Sequence, residues 1–219
     1  MYHEKIPSIK NIHKAVAIGD SITFGMNASS PEKCWASLAV SMLSEYSGHT
    51  IQLVNRGICA NILSIETPAY EYCAKPAGLE RLEQDIIKEN PDLLFIAFGL
   101  NDSRGGTHIK IFERDYQCMI DQIRSRISPV IVALNLYYMH EEFYSSCEHW
   151  DYSNYAVAEE FNQMIRQLSE ENHLIYADVF HAMEGADWTV SADQCHPNDL
   201  GHRLIANRVF EAVVKHVRF

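Results

Sequence analysis

The chain is predicted to be an α/β protein, with helices packed on a parallel sheet. Three observations predict it. Five short apolar runs are spread along the 219 residues. Most are continuous rather than alternating, which fits strands covered on both faces. Segments of helical periodicity lie between them, and strands that alternate with helices imply parallel pairing.

The first run is Ala15-Val16-Ala17-Ile18, ended by Gly19. Ser30-Pro31 then reads as a cap followed by Pro in the first turn of a helix, which Gly48 closes. The second strand is Ile51-Gln52-Leu53-Val54. Asn90-Pro91 ends the next segment, and the strongest run, Leu93 to Phe98, follows. Ile109, Phe112, Tyr116, Met119, Ile120 and Ile123 recur at helical spacing. Val130 to Leu136 is the fourth strand. Val157, Phe161, Met164, Ile165 and Leu168 mark another helix, Leu174 to Ala177 the fifth strand, and Leu204, Ile205, Val209, Phe210 and Val213 the last helix. No repeat, low-complexity tract or linker interrupts the series, so residues 1–219 read as one domain.

Lys plus Arg is 18 and Asp plus Glu is 29, a formal net charge of −11. That sign repels nucleic acid and anionic membranes, so neither is an expected partner. No stretch nears the roughly 18 apolar residues of a membrane span. Met1 to Lys14 holds four charges and no apolar run, which is not a secretory signal. The expectation is a cytoplasmic protein. Its six cysteines form no C-x-x-C pair and read as reduced packing thiols.

The segment from Tyr137 to Tyr155 differs from the rest. It holds seven aromatic residues in 19, against 11% for the whole chain. It follows the fourth strand, on the sheet edge where α/β folds place ligands. Two readings stand side by side: a packed lid or contact in a homo-oligomer, and a wall of a substrate site.

Three turns carry residues suited to acyl transfer. The first strand runs into Gly19-Asp20-Ser21, the third into Gly99-Leu100-Asn101-Asp102, and Asp193-Gln194-Cys195-His196-Pro197 precedes the last helix. In a sheet of flavodoxin-like order the first and third strands are neighbours, so Ser21 and Asn101 face one crevice. Ser21 needs a general base, which His196 can supply. Asp193, three residues earlier, can set the imidazole tautomer. Asn101 and the Ser21 N–H can hold an oxyanion.

Together these motifs, in this order from Ile18 to Ile205, resemble the GDSL esterases, also called SGNH hydrolases. The resemblance implies a three-layer α/β/α sandwich with a five-stranded parallel sheet. It implies ester hydrolysis through an acyl-enzyme, with Ser21 as nucleophile, His196 as base and Asp193 as its orienter. It implies no cofactor and no metal. Ile22 stands where the family name has Leu. A third oxyanion donor usually comes from a glycine a few residues beyond an Asn at the second strand end. Counted from Asn55, that place is Ala60, with Gly57 as the alternative.

Plainer readings compete. Gly-Asp-Ser by itself is commonly a capped strand-to-helix turn. Asp193 and Asn198 can be helix-start residues. Asp193, Cys195, His196 and His202 fit no familiar zinc spacing, and neither do His140, Cys147 and His149, whose default is an exposed loop. The main expectation is a serine esterase for short-acyl or acetyl esters, including esters on carbohydrate. The rivals are an acyltransferase with the same triad and a non-catalytic flavin or nucleotide binder. The second rival lacks any glycine-rich phosphate loop.

Overall fold

The apolar runs become five parallel strands. In the computed structural model, which describes residues 7–219, they are β1 (Lys14–Gly19), β2 (Gln52–Gly57), β3 (Leu93–Ala97), β4 (Val130–Leu134) and β5 (Ile175–Ala177). The N-terminal stretch read above for a secretory signal begins with residues 1–6, which lie outside the described residues. The strand order is β2-β1-β3-β4-β5, all neighbours parallel. This is the flavodoxin-like order, and the direction of winding reverses between β1 and β3.

Seven helices follow the strands: α1 (Ser21–Phe24), α2 (Trp35–Ser47), α3 (Leu100–Arg104), α4 (Ile109–Arg124), α5 (Tyr155–Glu171), α6 (Phe180–Met183) and α7 (Asp199–His216). Parallel crossovers are right-handed. Chain that winds from β1 to β2 therefore lands on one face of the sheet, and chain that winds from β3 to β5 lands on the other. Accordingly α2 packs on α7, and α4 packs on α5. β1 and β3 sit in the middle, and every side chain from Leu93 to Phe98 is buried. Each large one adds about 1.5–3 kcal/mol through removal from water. The helical stripe Phe112, Tyr116, Met119, Ile120 and Ile123 is buried as its spacing predicts. Among the described residues no helix is long and apolar enough to cross a membrane.

Two elements differ from expectation. The helix expected from Pro31 starts later: Pro31–Lys33 is a 3-10 turn, and Cys34 is extended before α2 begins at Trp35. The cause is tertiary. The Trp35 N–H, an orphan donor of the helix start, is accepted by Nδ1 of buried His202 at 3.3 Å, while the other ring nitrogen of His202 lies 3.0 Å from the Met26 carbonyl. β2, expected to be covered on both faces, is an edge strand with no fully buried residue.

Candidate active site

Parallel strands share one carboxyl edge, and three chain segments meet there. β1 ends at Gly19, and Asp20 caps α1 by accepting the Ile22 N–H at 2.9 Å. Ser21 is thus the first residue of α1, held by a turn and by the strand behind it. Burial pushes the Asp20 carboxyl up to about 6. Ser21 Oγ lies 2.9 Å from His196 Nε2, across 175 residues of sequence. His196 Nδ1 lies 2.7 Å from Asp193 Oδ2. The N–H groups of Cys195 and His196 also donate to Asp193 Oδ1, at 3.1 and 3.0 Å. Burial works against the Asp193 charge, but these bonds outweigh it and hold the carboxyl below its usual range. Gln194 closes this tight turn at φ 62°. Asn198, beyond the turn, is the helix-start residue the plainer reading offered: it caps α7 through the Leu200 and Gly201 N–H groups.

The second crossover brings the remaining groups. β3 leads through Gly99, at φ 126°, into α3 and Asn101. Asn101 Nδ2 donates to the Asn61 carbonyl at 3.1 Å. An amide nitrogen carries two hydrogens, so one remains for a ligand. Ser21, Ala60, Asn101 and His196 line one cavity of about 280 Å³. Among the described residues, neither the Ser21 nor the Ala60 N–H meets a hydrogen-bond acceptor. Unpaired backbone donors on a cavity are suited to receive an anionic oxygen. Gly57 is not part of this wall. A Cβ there would stand 2.1 Å from the Phe24 nitrogen, so its bare backbone serves the close packing of α1 on β2.

Ala60 adopts φ 55°, a left-handed conformation that costs a residue with a Cβ about 1–2 kcal/mol. Ala60→Gly relieves that strain but adds chain entropy to the unfolded state, by roughly 0.4–1 kcal/mol. The expected net gain is about 0.5–1 kcal/mol. It should appear in a thermal melt as a midpoint raised by about 1–4 °C.

The Ala60 turn is pinned by residues that sequence reasoning did not assign. Buried Arg81 donates to Asn61 Oδ1 (2.8 Å), to the carbonyls of Gly19 (3.0 Å) and Arg56 (2.7 Å), and to Asp85 (2.8 Å). One guanidinium thereby clamps the ends of β1 and β2 to the turn. Asn61 Nδ2 donates to the carbonyls of Ala74 and Pro76. Asp102, fully buried, accepts the N–H groups of Leu63 and Ser64, at 3.0 and 3.1 Å. Burial pushes its carboxyl up to about 7 against the pull of those bonds. Asn27, at the end of the α1 turn, donates to Asp193 Oδ2 at 2.7 Å. Apart from Asp102, which closes the Gly99-Leu100-Asn101-Asp102 turn, no short motif announces these residues. Each is recognised by a partner at least 13 residues away, except Asp85 one helical turn from Arg81.

The aromatic segment splits between its two readings. Tyr137 and Tyr144 are packed into the core. Phe143 and Trp150 line the cavity, and so does Cys147, which was expected on an exposed loop. His149 stacks on Tyr72 at 3.6 Å. Among the described residues no group of three or more His, Cys, Asp or Glu is arranged to hold a metal ion. All six cysteines are free thiols.

Comparison with known proteins agrees with this architecture. A sequence model described as the GDSL-like lipase/acylhydrolase family matches residues 17–204. An arylesterase of Vibrio mimicus is 25% identical over 207 residues, covering 93% of this chain and 90% of that one. Among solved structures, an acetylxylan esterase from Geobacillus stearothermophilus superposes with a TM-score of 0.69 at 20% identity, covering 95% of this chain and 96% of its own. A lipase/acylhydrolase from Enterococcus faecalis superposes with a TM-score of 0.72 at 21% identity, covering 93% and 97%. At those identities the two structures establish likeness of fold.

Proposed function

The chain belongs to the GDSL-like lipase/acylhydrolase family, and from that premise we propose that it cleaves short-acyl esters through an acyl-enzyme on Ser21. The observation that carries the proposal is the continuous relay from Ser21 Oγ to His196 Nε2 and from His196 Nδ1 to Asp193. A carboxylate can only accept, so it fixes the imidazole proton on Nδ1 and leaves the Nε2 lone pair facing the Ser21 hydroxyl. His196 takes the hydroxyl proton as Ser21 attacks the ester carbonyl. Asp193 steadies the imidazolium that results. The carbonyl oxygen becomes an anion held by the N–H groups of Ser21 and Ala60 and by Asn101 Nδ2. His196 then gives its proton to the departing alcohol. Water, activated by the same imidazole, releases the acid and restores Ser21.

The size of the cavity supports a small acyl group. At about 280 Å³ it falls just below the usual range of roughly 300–1,000 Å³ for drug-sized ligands. Phe143 and Trp150 are aromatic residues of the cavity wall, and aromatic walls suit a sugar ring, which favours acetylated carbohydrate among the alcohol components. The test is labelling with a fluorophosphonate, followed by an ester series. The expected results are stoichiometric modification of Ser21 and a kcat/KM that falls more than about tenfold from 4-nitrophenyl acetate to the octanoate. Failure to label Ser21 removes the acyl-enzyme; preference for the octanoate removes the short-acyl and sugar assignment.

A further inference from the structure

Two arginines near the site are buried, and they differ in one respect. Arg81 has an acid partner in Asp85 and further acceptors in Asn61 and the strand carbonyls. Arg104 is 5% exposed, and among the described residues it pairs with no carboxylate. Its Nε is buried without any acceptor among those residues. Its one side-chain hydrogen bond is a long contact, 3.4 Å from Nη2 to the Phe143 carbonyl, and the guanidinium sits 5.0 Å from the centre of the Phe143 ring. The same side chain lines the cavity that contains Ser21 and His196.

A guanidinium stays charged at any pH a protein tolerates. A buried charge without a partner is costly, and its fork of donors matches a carboxylate or phosphate. The counter-charge of Arg104 therefore belongs to whatever fills the cavity. Position limits that ligand further. Arg104 lies three residues after Asn101 on α3, so the two share a helix face with Cβ atoms about 5–6 Å apart. Both side chains line the one cavity of about 280 Å³, so an anion on Arg104 and a carbonyl held by Asn101 would belong to the same small ligand.

We propose that Arg104 is a specificity-determining residue that binds an anionic group, carboxylate or phosphate, carried by the ester substrate close to its scissile carbonyl. The inference rests on the esterase reading above and names the substrate class within it. The anion can be attached on the acyl side or on the alcohol side, and matched substrate pairs separate the sources. Mono-4-nitrophenyl succinate against 4-nitrophenyl butyrate tests a carboxylate on the acyl side. O-acetylglycolate against O-acetylglycolamide tests a carboxylate on the alcohol side. 2-Acetoxyethyl phosphate against 2-acetoxyethanol tests a phosphate.

The wild-type chain is expected to favour the charged member of at least one pair by about tenfold or more in kcat/KM. In Arg104→Met the charged-to-neutral ratio should collapse toward one, and Arg104→Lys should keep part of it, because a point charge replaces a fork. A wild-type ratio near one in all three pairs overturns the proposal without any variant. A ratio unchanged in Arg104→Met also overturns it, including when both rates fall together, because Arg104 then only supports the Phe143 segment. Turnover of neutral esters with no preference for charge removes the Arg104 assignment alone. No Ser21-dependent turnover of any member removes it together with the esterase reading.

Discussion

Ser21→Ala is expected to lower kcat for 4-nitrophenyl acetate by about 10⁴–10⁶-fold, with the fold intact. The hydroxyl is the only atom removed. Its single hydrogen-bonding partner among the described residues is His196 Nε2, so the change leaves the Asp193–His196 pair and the Asp20 cap in place. No cavity of consequence forms, and the cost in stability should stay within about 1 kcal/mol. The chemistry loses its nucleophile altogether. His196 can still direct a water at the carbonyl, and the oxyanion donors remain, so a residual rate above solution is consistent with the assignment. The measurements are kcat by initial rates, a circular dichroism melt, and mass after fluorophosphonate treatment. A variant that keeps its melting point and full activity would falsify the role of Ser21.

Asn101→Ala is the second large effect. The expected loss is about 10²–10³-fold in kcat, or roughly 3–4 kcal/mol of barrier, with KM little changed. The reason is differential: a neutral carbonyl gains little from the amide, whereas the anion that replaces it gains a preorganised donor. Asn101 Nδ2 is held in place by the Asn61 carbonyl, which Arg81 and Asp102 secure from behind. The variant also frees that carbonyl, and so does Asn101→Asp, which has no donor to replace the amide. It keeps the side-chain shape but replaces the donor by an acceptor. Both variants should fail alike in kcat. A large rise in KM with kcat preserved would instead make Asn101 a contact for the substrate ground state.

Much of the site could be read before the fold. Ser21, Asn101, Asp193 and His196 sit directly after strands or before a helix, at chain positions marked by Gly, Asn and Pro. Turn chemistry is local, so a motif of a few residues declares it. Ala60, the place that the family resemblance gave when counted from Asn55, lines the cavity, and the alternative, Gly57, does not. The aromatic segment was visible as a composition shift, but its division was not. Tyr137 and Tyr144 turn into the core while Phe143 and Trp150 meet the cavity, and nothing in their order distinguishes them.

What the sequence determined alone is the alternation of strand and helix and the chemical identity of the groups proposed to react. Period, capping and the residues of a turn depend on neighbours along the chain. Tertiary structure decided the rest: the delay of α2 until Trp35 could meet His202, the clamp of Arg81 on Asn61, the support of Asp193 by Asn27, and the isolation of Arg104 from every described carboxylate. These depend on which groups the fold places beside one another. A buried donor is satisfied only where the fold brings an acceptor to it, and that acceptor can lie more than 160 residues away, as His202 does from Trp35.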